Sequence, residues 1–219
     1  MQYYPLDLPG SSILSKMSLQ PLPVYPESLP GSKRVFELSL NGWTPFIVGV
    51  LYLIMTQTAN WRHKRITQEH KAGRGPPPKD YVKASETLSN LVLAHNAALA
   101  VYSAWTFVYA VRYVVPYLFN GVREGGVQGL TNAFCTVPTH DPNTLSPFIM
   151  LFYYSKFWEI LDSVILILKG KHVSALQSYH HCGAWTAMFV GARFSASALW
   201  IFLTFNSLVH GEYCALAME

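Results

Sequence analysis

The run Tyr154-Ser155-Lys156-Phe157-Trp158-Glu159-Ile160-Leu161-Asp162-Ser163 lies inside a longer apolar, helix-length segment, yet it carries three charges. Two further apolar segments hold polar groups of the same kind. Gln177-Ser178-Tyr179-His180-His181 opens the first, and Asn206-Ser207-Leu208-Val209-His210 lies within the second. On insertion scales a single charged residue at mid-bilayer costs about 2.5–3.5 kcal/mol. Three in one span cancel most of its insertion free energy unless they pair and face a protein interior or a wet cavity. The stretch 154–210 therefore reads as the polar interior of a helical bundle, whether that network is architectural or functional.

The composition around it agrees. The 219 residues are 51% hydrophobic and only 13% charged, against about 25% charged in soluble domains, and mean hydropathy is +0.20. Apolar runs alternate with short segments holding most of the Lys and Arg, the layout of an all-α polytopic membrane protein. Five transmembrane helices are expected, at about 43–61, 86–117, 147–168, 173–190 and 195–218. Residues 1–41, rich in Pro and Ser, read as an irregular extramembrane arm, and 42–219 as the transmembrane domain. The loop with Arg62, Lys64, Arg65, Lys71, Arg74, Lys79 and Lys83 is expected to be cytosolic, which puts the arm on the other side. The segment 119–146, with its glycines and prolines, reads as a non-cytosolic loop. A basic region followed by an apolar core is missing from the N-terminus, so no cleavable signal peptide is expected. The formal charge of +4 is concentrated in that loop with no recognisable nucleic-acid module, which argues against nucleic-acid binding. Cys135, Cys182 and Cys214 are too few and too scattered for a disulfide framework or a Cys-based zinc site.

Spacing refines the picture. Lys156, Glu159 and Asp162 fall within a sector of about 120° on a helix. Gln177 and His180 share a face, while His181 points about 100° away. Asn206 and His210 are again on one face, and His95 in the second span reads as an interhelical hydrogen-bonding residue. The convergence of three histidines with Asn, Gln, Glu, Asp and Lys points to function. Imidazole can serve as nucleophile, base or metal ligand. A di-iron oxidase or desaturase needs several histidine boxes. Here there is one, opening with Gln177, and His63, His70, His140 and His172 fall in expected loops. No metal is expected, and acid–base or nucleophilic chemistry fits better.

These residues resemble the ELO family of fatty acid elongases. Lys156-x-x-Glu159-x-x-Asp162-Ser163 is similar to the family's KxxExxDT pattern with Ser for Thr. Gln177-x-x-His180-His181 looks like the HxxHH box in its Gln form, and Asn206-x-x-x-His210 like the start of NxxxHxxMY. The resemblance implies a membrane 3-ketoacyl-CoA synthase of the endoplasmic reticulum that condenses long-chain acyl-CoA with malonyl-CoA, without a cofactor. In that scheme His180 takes the acyl group as an acyl-imidazole and His210 positions the malonyl group. His181, Gln177 and Asn206 orient the imidazoles or donate to oxyanions, and Lys156, Glu159 and Asp162 form the polar wall. Membrane lipids, the reductases and dehydratase of the elongation cycle, and a second copy are the implied partners. After His210 the pattern departs, and the family's seven spans compare with five here. This reads as a truncated or misjoined chain, and an inactive or regulatory relative is the alternative.

Overall fold

The structure, a computed structural model, describes residues 22–76, 86–139, 141 and 145–216, with the backbone alone for 86–88 and 212–216. Residues 1–21 of the arm, Lys79 and Lys83 of the basic loop, His140 and residues 217–219 lie outside the described residues. So do the side chains of Glu212 and Cys214.

Among the described residues the secondary structure is helical throughout. The helices are α1 Lys33–Ser39, α2 Trp43–Lys71, α3 Glu86–Thr136, α4 Leu145–Leu168, α5 Ala175–Phe194 and α6 Leu199–Leu216. Helices α2 to α6 have 29, 51, 24, 20 and 18 residues. At about 1.5 Å per residue, even the shortest extends about 27 Å, close to a hydrocarbon core. By length and composition only α3 passes as a span by itself, over Ser89–Thr136; α1 and α2 pass together across a 69° bend. Helices α4 and α5 fall short because of the polar groups described above, three charges in α4 alone, whereas α6 is apolar and its side chains are described only over Leu199–Gly211. The chain is a helical membrane protein.

Two expected boundaries move. Helix α2 continues past Trp61 to Lys71, so Arg62, Lys64, Arg65, His63 and His70 belong to a helix and not to a loop. An exposed Arg65–Glu69 pair at i, i+4 supports that extension. The segment 119–136 is also helical, and only Gly125 and Gly126 leave helical geometry, Gly126 at φ +58. There the chain reverses. The returning helix crosses the outgoing one so closely that a Cβ on Gly121 would sit 2.6 Å from the Ala133 Cβ. The Tyr117 hydroxyl donates across the reversal to the Thr136 carbonyl at 3.0 Å.

The end of the arm is ordered as well. Leu29, Phe36 and Leu40 enter the apolar core with Phe148, Phe152, Tyr153, Met188 and Phe189. The Tyr153 hydroxyl donates to the Ser39 carbonyl at 2.9 Å.

The helices form two groups. Helix α2 packs against α4 and α5, which pack on each other; α3 and α6 run along each other. Close backbone packing between the groups is sparse, and its largest instance is α5 against α6. Side chains bridge the remaining seam. Toward the start of α4 they are aromatic, with Tyr109 stacked on Phe148 at 4.2 Å and Trp105 edge-on to the same ring at 5.2 Å. Toward its end they are polar.

Candidate active site

Local structure sets the depth of each polar group. Helix α4 ends in a Schellman turn, with Lys171 N–H on the Leu166 carbonyl, Gly170 N–H on that of Ile167, and Gly170 at φ +63. Helix α5 begins three residues after Lys171 with Ser174 as its cap, whose hydroxyl accepts from Gln177 N–H at 3.0 Å. This tight connection puts the box of α5 beside the motif of α4. Both His180 and Asp162 lie roughly 8–9 Å of helical rise from the connected ends. Asn60 of α2 clips the connection, because its side-chain amide donates to the Val173 carbonyl and accepts from the Val173 N–H, both at 2.9 Å.

Within the seam, Lys156 and Glu159 are 3% and 4% exposed. The Lys156 ammonium donates to Glu159 Oε1 and to Asn206 Oδ1, each at 2.5 Å, and lies over the Phe152 ring at 4.1 Å. Buried charges persist only when paired and hydrogen-bonded in this way. The other oxygen, Glu159 Oε2, is 3.5 Å from His210 Nε2 and has no hydrogen-bond partner among the described residues. His210 Nε2 lies 3.2 Å from His180 Nε2. A line of polar contacts therefore runs Asn206, Lys156, Glu159, His210, His180 and crosses the seam three times.

The other expected residues are placed as follows. His181 is buried, 5.7 Å from the His180 ring and 6.1 Å from the Tyr52 ring. Gln177 donates to Ser163 Oγ at 3.4 Å, and Ser163 also shares a hydrogen bond with the Tyr52 hydroxyl at 2.9 Å. Asp162 does not join Lys156 and Glu159. Its carboxylate meets His95 Nε2 of α3 at 2.7 Å. At six residues from Lys156 it stands at the far edge of the 120° sector, where the neighbour is α3. His95 thus makes the interhelical bond expected of it. Its other partner Trp158, together with Tyr52 and Asn60, has no motif to single it out. Their polar groups within helices of low charge are the available signal. Among the described residues no group of three or more His, Cys, Asp and Glu side chains is arranged to hold a metal ion.

Two facing imidazoles, a carboxylate behind one of them and a cation holding that carboxylate can support nucleophilic and proton-transfer chemistry. The ELO family profile, GNS1/SUR4, matches residues 37–212. The chain belongs to the ELO family. It is 31% identical over 129 residues to a candidate fatty acid elongase of Dictyostelium discoideum, an alignment covering 57% of this chain and 40% of that protein. A second candidate elongase of that organism is 31% identical over 98 residues, covering 44% and 36%. Fatty acid elongase A, also from Dictyostelium, is 24% identical over 123 residues, covering 56% and 42%. The chain spans about two fifths of the length of the curated relatives it matches. No solved structure matches the chain. All three motif segments of this ELO protein fall within the matched region.

Proposed function

We propose that this ELO protein acts as a condensing enzyme of fatty acid elongation in the endoplasmic reticulum membrane, joining long-chain acyl-CoA and malonyl-CoA to give 3-oxoacyl-CoA, CoA and carbon dioxide. The observation that carries the reading is the 3.2 Å approach of His180 Nε2 to His210 Nε2 in a buried polar seam. Two neutral imidazoles at that distance share one proton, so one ring donates and the other accepts. For His180 to attack through Nε2, His210 is the donor.

His180 Nε2 then adds to the thioester carbonyl. As the carbon–sulfur bond breaks, the thiolate of CoA takes the proton released from His180 Nδ1, leaving an N-acyl imidazole. Malonyl-CoA loses carbon dioxide, and the resulting enolate attacks the acyl carbon and expels the imidazole, which recovers a proton from solvent. Once acylated, His180 Nε2 no longer accepts. The His210 N–H is then free to turn to Glu159 Oε2 or to the oxyanion forming on a substrate carbonyl. Lys156 holds the Glu159 carboxylate in place. Gln177, through Ser163, and Asn206, through Lys156, fix the walls, and His181 packs behind His180. Both substrates are CoA esters, no cofactor is required, and the later reductases and dehydratase of the cycle would take the product.

The full-length protein incubated with acyl-CoA alone is expected to carry a hydroxylamine-sensitive adduct on His180, discharged as lengthened acyl-CoA on adding malonyl-CoA. An adduct that persists in His180→Ala removes His180 from the role. Absence of malonyl-CoA-dependent lengthening removes the reading itself.

A further inference from the structure

One buried polar group of the seam has no part in that chemistry. His95 of α3 accepts at Nδ1 from the Trp158 indole N–H at 3.1 Å and meets Asp162 Oδ1 through Nε2 at 2.7 Å. Indole nitrogen only donates, so Nδ1 must be the acceptor and the imidazole proton resides on Nε2, donated to the carboxylate. Both ring nitrogens are committed. No lone pair is left for a base or nucleophile, and the ring also stacks on Trp158 at 5.9 Å.

The place of this contact gives it a mechanical meaning. Helices α3 and α4 have at most slight close backbone packing, so here the two groups are joined chiefly by side chains. Helix α3 carries α6 along its length, and Gly211, next to His210, lies against Ser103 and Ala104 of α3. Ser103 is two turns from His95 on the same helix. A shift of α3 relative to α4 therefore moves Asn206 and His210 relative to Lys156 and His180.

We propose that His95 is a positioning residue, a brace from α3 to Trp158 and Asp162 of α4 that sets the separation of the two helix groups and so the fit of His210 against His180. The proposal rests on the condensing reading for its effect on rate, but not for its effect on geometry. A misplacement of about 1 Å in a site of this kind costs on the order of a hundredfold in rate.

The test compares His95→Ala with His95→Gln, whose amide can accept from Trp158 and donate to Asp162. Spin labels at Val108 and Val190, exposed positions on α3 and α5, report the separation of the groups in full-length protein with its native cysteines replaced. In His95→Ala the label distance is expected to lengthen or broaden and kcat to fall about 10- to 100-fold, with KM changing far less; His95→Gln restores both. Trp158→Phe, which keeps an aromatic ring and loses the N–H, gives an intermediate result and serves if His95→Ala does not fold. An unchanged label distance in His95→Ala overturns the brace, and so does an altered distance with normal kcat. If the parent protein proves inactive, the condensing reading falls and the distance alone decides the brace.

Discussion

The α2–α4–α5 group and the α3–α6 pair are held together by different means. In the first, hydrogen bonds staple helix to helix: Asn60 to Val173, Tyr52 to Ser163, and Gln177 to Ser163. In the second, the helices lie along each other over a long contact that includes one indole donation, Trp200 to the Phe134 carbonyl at 3.2 Å, and small residues in close approach, Gly211 on Ser103 and Ala104, with a closely crossed hairpin at Gly121 and Ala133. The motif residues divide unevenly between them. Lys156, Glu159, Gln177, His180 and His181 belong to the stapled group, and Asn206 and His210 to the pair. Neither group has a complete site, so the chemistry depends on the register of one against the other. This differs from a site built on one rigid element, where a distant change has little to act on.

The largest expected effects come from breaking the site across the seam. His210→Ala should lower turnover by about 10²- to 10⁴-fold, the range for loss of a proton-transfer group, while acylation of His180 by acyl-CoA alone is impaired less. Equal loss of both steps would place His210 in the acylation step. Next comes Lys156→Ala, which strands the buried Glu159 carboxylate. Unfolding in detergent should show a loss of about 3–5 kcal/mol, whereas Lys156→Met with Glu159→Gln should recover most of it. No recovery in the double variant would mean that packing, not charge, holds this point.

Asn60→Ala removes two hydrogen bonds inside the stapled group and leaves the seam alone. A loss of about 1–3 kcal/mol is expected, with kcat nearly unchanged. The smallest effect is Tyr52→Phe, at about 1 kcal/mol, because Ser163 keeps Gln177 as a partner. A larger effect of Tyr52→Phe on turnover than on stability would bring α2 into the site and show that the staples of the first group serve more than its cohesion.

Much of this arrangement is legible in the sequence. Polar residues inside helices of low charge identify α4, α5 and α6 as neighbours, since insertion costs leave them nowhere else to go. The pairing of Lys156 with Glu159 follows from spacing. The destination of Asp162 does not, because the edge of a sector faces whichever helix lies there, and that is a tertiary fact. Gly121, Gly125, Gly126 and Gly129 look alike as breakers, but only the middle two leave helical geometry, whereas Gly121 and Gly129 permit a close crossing. The helical continuation of α2 beyond Trp61 was hidden by its charge, which suits a loop or an exposed helix equally well. Leu29, Phe36 and Leu40 were hidden among prolines, and their burial depends on Tyr153 and its neighbours far along the chain.

Asn60 and Val173 are 113 residues apart, Tyr52 and Ser163 are 111, and Ser39 and Tyr153 are 114. At about 5–20 residues per second, α2 leaves the ribosome on the order of 6–20 s before the last of these partners is made. During that interval the polar side of α2 has only lipid, water or the insertion machinery to face. Helix α2 is thus synthesised early and docked late, and its hydrogen bonds to the bundle wait for the connection between α4 and α5.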